Sequence, residues 1–238
     1  MTNNSSRTTN AIETEVLQTW HDNASAWTNA VRTYQIASRR LVTNQAIIDA
    51  VLNHQPRKVL DLGCGEGWLA GQLAAKGLLV TGIDAIAELT DAAQQRYGEK
   101  AEFITLPYDQ VPTALARQKF DLIVCNFSLL GNESVAKLLQ SLPPLLNEAG
   151  VMLIQTLHPD TAVKADEQSD GWRRETWQGI GKGFRGSAPW YYRTRTSWQT
   201  LFDNCHWQLR YCLEPKHPQT LQAASIIFCL ESKPRQAI

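Results

Sequence analysis

The sequence predicts an α/β protein built on a doubly wound, mostly parallel sheet with helices on both faces. Three observations support this fold class. Apolar runs of strand length alternate with segments of helical periodicity over residues 55–157. The strand pattern Val59 to Leu62 leads through a glycine-dense turn into a helical pattern that begins at Trp68. A second strand pattern ends in an acid, Asp84. Open parallel sheets bind ligands at the carboxyl ends of their strands, so we expect the functional site there.

The elements follow one another in a regular order. Residues 12–53 are predicted to be helical, because apolar residues recur at helical spacing in two groups, around Val16 and around Ile47. Predicted strands cover residues 59–62, 78–84, 101–106, 120–127, 151–156, 207–213 and 225–231, and predicted helices cover 69–75, 86–97, 133–146 and 198–204. We therefore divide the chain into an N-terminal helical cap, 1–54, and a sheet domain, 55–238.

The turn after the first strand contains Gly63, Gly65 and Gly67. Glycine adopts positive φ and lets the backbone approach a ligand, while the first turn of the next helix offers unpaired N–H groups. The spacing argues against two common cofactor motifs. A dinucleotide fingerprint would need its third glycine at position 68, where this chain has Trp68. A phosphate-binding P-loop would need a Lys-Ser/Thr pair after the glycines, and none follows.

The heptapeptide from Asp61 to Gly67, Asp-Leu-Gly-Cys-Gly-Glu-Gly, resembles motif I of the class I S-adenosylmethionine-dependent methyltransferases. The resemblance implies a Rossmann-like fold with seven strands, the last of them antiparallel, and S-adenosyl-L-methionine as the cofactor. It also implies that the acid Asp61 helps to place the cofactor's amino group. The glycine backbone of the family packs against the methionine part of the cofactor, which assigns contacts to Gly63, Cys64, Gly65 and Gly67.

The resemblance assigns the ribose to the end of the second strand. Asp84 lies about twenty residues after the first glycine, where an acid can accept both ribose hydroxyls, and Ala85 adjoins it. A helix-capping role for Asp84 is the alternative. Trp20 and Trp27 belong to an aromatic segment that in relatives folds over the cofactor, although either ring could simply pack a helix on the core. Arg39 and Arg40 could meet the cofactor carboxylate, and we expect both to be solvated instead.

The adenine contacts depart from the family pattern. Many relatives carry an acid directly after the third strand, but in this chain Tyr108 occupies that neighbourhood and the acid comes later, as Asp109. We therefore assign the adenine to backbone groups and to Leu106 or Tyr108, and the role of Asp109 stays open. Asn126, after the fourth strand, is either a turn residue or a further cofactor contact.

His158 is the candidate general base, because it follows the fifth strand at the same predicted sheet edge. Methyl transfer from a sulfonium depends chiefly on positioning, so a base is needed only when the acceptor keeps a proton at the working pH. Ordering of a loop before Pro159 is the alternative role of His158.

Residues 160–197 interrupt the alternation of strands and helices and form the candidate substrate lid. Between residues 171 and 200, six basic side chains accompany one acid, Glu175. With the aromatic rings of the segment they favour a small anionic or aromatic acceptor, and we expect the segment to be dispensable for cofactor binding. A solvated loop or a partner surface is the alternative. The basic residues are Arg173, Arg174, Lys182, Arg185, Arg193 and Arg195.

Composition limits the partners. The 23 basic and 23 acidic residues balance, so no global charge attracts nucleic acid or a membrane surface. Five scattered cysteines without a C-x-x-C pair or a histidine cluster predict reduced thiols, a cytoplasmic location and no metal site. No apolar run approaches the length of a membrane span.

The predicted function is methyl transfer from S-adenosylmethionine to a small molecule. Two alternatives stay open, a nucleic-acid methyltransferase and a non-catalytic cofactor-binding protein. The first is disfavoured, because the chain has Asn126-Phe127-Ser128-Leu129 where an Asn-Pro-Pro-aromatic signature would stand. The acceptor atom and the oligomeric state are not predicted.

Overall fold

The computed structural model describes residues 3–233 of the 238-residue chain. Within this described range nine strands occur in chain order: β1 (Lys58–Leu62), β2 (Leu79–Asp84), β3 (Glu102–Thr105), β4 (Phe120–Asn126), β5 (Leu146–Thr156), β6 (Gly171–Thr176), β7 (Ser187–Tyr192), β8 (Trp207–Leu213) and β9 (Ile226–Ser232). Seven of them form one sheet in the order β3-β2-β1-β4-β5-β9-β8, and β6 pairs with β7 in a separate hairpin.

The sheet is parallel except for one strand. The pairs β1–β2, β1–β4, β2–β3 and β4–β5 are parallel, whereas β9 runs antiparallel to both β5 and β8. The predicted seven-stranded architecture with an antiparallel last strand is therefore confirmed. The strand order reverses between β1 and β4, which is the place where an open sheet of this kind leaves a crevice for a ligand.

Helices cover both faces of the sheet. They are α1 (Asn3–Arg32), α2 (Asn44–Leu52), α3 (Trp68–Ala74), α4 (Ala87–Tyr97), α5 (Val111–Ala114), α6 (Glu133–Ser141) and α7 (Arg195–Asn204), and a π-helical turn, Arg39–Thr43, precedes α2. Successive residues of a strand point to opposite faces of the sheet and belong to two separate apolar clusters. In β4, Ile123 faces the cluster with α6 and α7, whereas Val124 faces the cluster with α2 and α3. This burial on both faces explains why the central strands are almost continuously apolar.

Two predicted boundaries differ from the structure for local reasons. The helix predicted over 133–146 ends at Ser141, because prolines follow at 143 and 144 and residues 143–145 form a 3-10 turn. Strand β5 begins earlier than predicted, at Leu146, which pairs with Phe120 across a register shift.

The 160–197 segment contains two strands that the sequence did not predict. It contains the β6–β7 hairpin, in which Arg174 pairs with Pro189. The hairpin does not extend the main sheet, and Asn23 of α1 hydrogen-bonds to its residue Arg185. Among residues 3–233 no helix has both the length and the apolar character needed to cross a bilayer. The same residues contain no cluster of His, Cys, Asp and Glu suited to a metal ion.

Candidate functional site

A cavity of about 730 Å³ lies at the carboxyl ends of β1, β2 and β4 and is covered by α1. The sheet edge contributes Gly63, Gly65, Asp84, Ala85, Asn126 and Phe127 to its wall. One stripe of α1 contributes Asn10, Glu13, Thr14, Leu17, Trp20 and Trp27. A stripe of α6 closes the end away from the glycines, with Ser134, Lys137, Leu138 and Ser141. The spacing of both stripes is that of a single helix face.

The three glycines of the corner have different surroundings. A Cβ on Gly63 would lie 2.3 Å from the Ser128 Cβ, and one on Gly67 would lie 2.7 Å from the Ala93 Cβ, so protein packing requires both glycines. A Cβ on Gly65 would instead meet only the Trp27 Nε1 atom within 4 Å, at 3.5 Å. The backbone of Gly65 is therefore the part of the corner that a ligand can approach.

Asp61 is a buried carboxyl group without a full set of donors. It is 1 % exposed, and its Oδ2 atom has no hydrogen-bond partner among the described residues. Burial, together with the neighbouring carboxylates of Asp84 and Glu66, raises the pKa of Asp61 to about 7. Such a group fits a ligand that brings a positive charge or a hydrogen-bond donor.

Asp84 is held rigidly at the cavity wall. Its Oδ2 atom accepts from the Gly65 N–H at 2.9 Å and its Oδ1 atom from the Ile86 N–H at 3.0 Å. Burial raises the pKa of Asp84, and these backbone donors oppose the rise. The capping role and the ligand role are compatible, because each carboxylate oxygen has a second lone pair for a ligand hydroxyl.

Three of the five remaining predicted cofactor residues border the cavity. Cys64, which is 8 % exposed, is not part of the cavity wall, and neither are Asp61 and Gly67. Tyr108 lines it, and its hydroxyl donates to the Ser128 carbonyl at 3.2 Å. Ala85 and Asn126 also line it, and the Oδ1 atom of Asn126 is buried without a hydrogen-bond partner among the described residues. Leu106 differs, because its side chain lies in the apolar cluster under α6 and only its N–H reaches back, to the Asp84 carbonyl at 2.9 Å.

Phe127 has an uncommon backbone conformation at the cavity wall. Its φ is +54°, in the left-handed region, and its N–H donates to the Gln155 carbonyl at 2.8 Å. A bulky residue held in this region carries backbone strain, and strained residues are enriched at functional sites.

Arg39 approaches the glycine corner from the segment before α2. Its guanidinium carbon lies 5.6 Å from the Trp27 ring centroid and 5.1 Å from that of Trp68, and its Nε donates to the Asn44 Oδ1 at 3.1 Å. Burial lowers the pKa of Arg39, against the attraction of Glu66 and Asp61. Arg40 is exposed, as predicted, whereas Arg39 is half-buried and has the contacts above, so it is only partly solvated.

The structure places His158 outside the cavity. The side chain is 5 % exposed, and its Nδ1 atom lies 3.3 Å from the Asp160 N–H. Its Nε2 atom lies 3.2 Å from Nη2 of Arg195 and 3.6 Å from Oε1 of Glu214. These contacts join the end of β5 to α7 and to the end of β8.

The predicted lid segment also lies outside the cavity wall, since no described residue of 160–197 lines it. Its arginines have other partners. Arg174 pairs with Glu15 on the surface, and Arg193 donates to the Gly131 carbonyl at 3.0 Å. Arg195 binds Asp160 and Glu214, each at 2.9 Å. The cavity is covered by α1, which the hairpin supports from outside.

Glu13 is a site residue that the sequence did not indicate. Its Oε1 atom accepts from the N–H groups of Asn132 at 2.7 Å and Ser134 at 3.2 Å, at the start of α6. In the sequence, only its place in the helical stripe of α1 could have indicated Glu13. The stripe does not identify the element against which this face of α1 packs.

Comparison with known proteins agrees with this geometry. The family model described as "Methyltransferase domain" matches residues 34–231. An uncharacterized methyltransferase of Mycobacterium bovis is 29% identical over 161 residues, which cover 66% of this chain and 79% of that protein. The ubiquinone biosynthesis O-methyltransferase of Haemophilus ducreyi is 34% identical over 110 residues, 43% of this chain and 46% of that enzyme.

Solved structures show the same fold. An S-adenosylmethionine-dependent methyltransferase from Clostridium acetobutylicum superposes with a TM-score of 0.60 at 14% identity, covering 79% of this chain and 89% of that one. The complex of DhpI with SAM and HEP superposes with a TM-score of 0.64 at 17% identity, covering 90% and 95% of the two chains.

Proposed function

The chain belongs to the methyltransferase-domain family, and from this premise we propose that it transfers a methyl group from S-adenosylmethionine to a small acceptor with an apolar or aromatic body. The observation that carries the proposal is a pair of unsatisfied polar groups at the glycine corner. Asn126 lines the cavity, and its buried Oδ1 atom has no partner among the described residues. Asp61, buried in β1 just before the corner and outside the lining, has a second such oxygen, Oδ2.

The residues of the corner suit the parts of the cofactor one by one. Asp61 would receive the amino group of the methionine moiety, and Arg39, held between two indole rings, would receive its carboxylate. Asp84 would accept from the ribose hydroxyls with the lone pairs that Gly65 and Ile86 leave free. The Tyr108 ring and neighbouring backbone groups would border the adenine.

Positioning supplies most of the catalysis in this proposal. The cofactor brings a methyl group already activated by its sulfonium, so the protein's task is to align an acceptor atom with that methyl group and to exclude water. The cover formed by α1 serves both purposes. A proton acceptor is needed only for acceptors that are still protonated at the working pH.

The acceptor would lie between the stripes of α1 and α6. Leu17, Leu130 and Leu138 offer apolar surface there, and the hydroxyls of Thr14 and Ser134 offer hydrogen bonds. This mixture favours an acceptor with an apolar or aromatic body and one or two polar groups.

An anionic acceptor receives less support. The charged residues on the described lining are Glu13, Asp84, Asp109 and Lys137, three acids and one base, and the Lys137 side chain is 76% exposed. The acids would repel a carboxylate, and still more the phosphates of a nucleic acid.

Isothermal titration with S-adenosylmethionine and S-adenosylhomocysteine tests the cofactor. The Asp84→Ala variant should bind about 1.5 to 3 kcal/mol more weakly, the range for hydrogen bonds to a charged group. Transfer of a labelled methyl group to matched pairs of neutral phenols and aromatic carboxylates then tests the acceptor class. Tight binding of NADH without binding of S-adenosylmethionine would refute the proposal. Binding of the cofactor without turnover on any acceptor would favour a non-catalytic role.

A further inference from the structure

The β6–β7 hairpin contacts the outer side of α1 rather than the cavity. It is attached through the exposed Arg174–Glu15 pair, through the Tyr191 N–H, which donates to the Leu130 carbonyl at 2.8 Å, and through Asn23, whose side chain is 1 % exposed. The Asn23 Oδ1 atom accepts from the Arg185 N–H at 2.7 Å, and its Nδ2 atom donates to the Arg185 carbonyl at 3.1 Å and to the Thr19 carbonyl at 2.8 Å. One side-chain amide thus satisfies both backbone groups of a hairpin residue. Loss of this pairing would leave buried polar groups without partners, which is costly.

Trp177 connects this attachment to the cavity wall. Its Nε1 donates to the same Arg185 carbonyl at 3.1 Å. Its ring meets Trp20 edge-on, with centroids 5.6 Å apart, and Trp20 meets Trp27 edge-on at 5.0 Å. Phe184 stacks on Trp177 at 4.5 Å. Trp20 and Trp27 line the cavity, whereas Trp177 does not. The hairpin therefore packs against this pair of lining residues from the side away from the cavity.

These two rings cover the end of the cavity next to the glycine corner. The Trp27 Nε1 atom is the neighbour of the open face of Gly65, and both tryptophans pack with Ile86 and Leu89, just beyond Asp84. The Trp20 Nε1 atom is buried without a hydrogen-bond partner among the described residues, so it is available as a donor to a ligand.

We propose that the β6–β7 hairpin is a positioning element that retains the cofactor. It fixes Trp20 and Trp27 over the ribose end of the cavity through Trp177 and Asn23, and it thereby slows cofactor release. The inference rests on the proposed cofactor and differs from the lid predicted from sequence, which would close over the acceptor and be dispensable for cofactor binding.

The test measures the dissociation constant and the dissociation rate of S-adenosylhomocysteine for the full-length protein. Trp177→Ala should weaken binding about tenfold, mainly through faster dissociation, since it removes the edge-to-face contact that holds Trp20. Trp177→Phe, which keeps a ring, should recover most of the loss. The matched control is Trp172→Ala, because Trp172 lies in the same hairpin but packs on Tyr191, at 5.4 Å, rather than on α1.

A second variant weakens the contact between α1 and the hairpin by a change in α1. Asn23→Asp keeps the acceptor for the Arg185 N–H but faces the Arg185 carbonyl with an oxygen, and it should also speed dissociation. The melting temperature of each variant is measured so that the comparison is made on folded protein. Wild-type dissociation rates in both Trp177→Ala and Asn23→Asp, or an equal loss in Trp172→Ala, would overturn the inference. Failure of the wild-type protein to bind S-adenosylhomocysteine would instead overturn the proposed function on which it rests.

Discussion

Asp61 makes the folded protein sensitive to pH. Its pKa is raised to about 7, whereas an aspartate in an unfolded chain titrates near 4. Between these values the folded protein holds a proton that the unfolded chain has released. Stability therefore falls as the pH rises from about 4 to about 7, and the loss is complete above that range. The site thus keeps a carboxylate that destabilises the ligand-free fold.

Asp61→Asn should raise the melting temperature of the ligand-free protein, and by more at pH 8 than at pH 5, because asparagine has no charge to bury. Between about pH 4 and pH 7, the stability gained by the variant over the wild-type protein should grow by about 1.4 kcal/mol for each pH unit. The same variant should bind S-adenosylhomocysteine about tenfold more weakly at pH 8, since the ligand's ammonium loses its counter-charge. Thermal melts and titration measure the two effects. Asp109→Asn, in the same cavity, is the control, and a less stable Asp61→Asn protein at pH 8 would contradict the account.

A single substitution can distinguish a structural role of His158 from a catalytic one. Its contacts with Arg195 and Glu214, outside the cavity wall, favour a structural role, while the acid-base role stays a prediction from sequence. We expect His158→Ala to lower the melting temperature and to change the methyl-transfer rate by less than about threefold. A loss of about 100-fold with unchanged cofactor affinity would assign general-base catalysis to His158 instead.

The sequence was informative about some residues and uninformative about others for a physical reason. Asp61, Gly65 and Asp84 could be placed because strand, turn and helix fix their neighbours locally. Arg39 and Glu13 could not, because their environment depends on how the segments before β1 fold back over the sheet. Long-range packing of this kind leaves no periodic signal in the chain.

At the scale of elements, different parts of helix α1 are held by different neighbours. Its middle is fastened to the hairpin through Asn23 and Trp20 and its end to α4, where Arg32 donates to the Ala92 carbonyl at 2.8 Å. Residues 10–17, over the part of the cavity that we assign to the acceptor, are held on α6 by Glu13 and on the hairpin by the exposed Glu15–Arg174 pair. Helix ends with few buried contacts open most easily. We therefore expect the proposed acceptor end to open more readily than the proposed cofactor end.

Glu13→Gln tests this division of α1. The amide cannot accept from the Asn132 and Ser134 N–H groups as strongly as the carboxylate, so the acceptor end should open more often. We expect faster hydrogen exchange in residues 10–17 and an acceptor KM raised about threefold or more, with cofactor affinity within twofold of wild type. Glu15→Gln, which removes a pair exposed to solvent, should change none of these by as much. Equal effects of the two variants would argue against a specific role for Glu13.

The hairpin shows how an element can escape prediction. Strands β6 and β7 pair only with each other, and they pack against a helix rather than against a second sheet. Buried and exposed residues therefore do not alternate along them, and the usual sequence signal of a strand is missing. Strands β1, β2, β4, β5 and β9 of the main sheet are largely buried, and their apolar runs made them predictable. The segment was recognised as unusual by its length and composition, and its partner could only be found in three dimensions.

At the scale of the whole molecule, the cavity joins parts of the chain that are distant in sequence. The family match begins at residue 34, after α1 has ended, and it covers the sheet with its glycine corner. The cover that α1 forms over the cavity therefore lies before the matched region. The shared part of the fold would fix the cofactor, and α1 with α6 would select the acceptor.

A ligand in the cavity should therefore stabilise the molecule as one unit. At a concentration 100 times its dissociation constant, a ligand that binds only the folded state adds about 2.7 kcal/mol of stability. For a chain of this size that corresponds to a rise of about 5 to 10 °C in melting temperature. S-adenosylhomocysteine should produce this shift in a thermal melt, and NADH at the same concentration should not, because the third glycine of a dinucleotide site is replaced by Trp68. At the same ligand concentration the shift should be smaller in Asp84→Ala, because the stabilisation falls with the logarithm of the affinity. An equal shift with NADH, or no shift with S-adenosylhomocysteine, would contradict the assignment of the cavity.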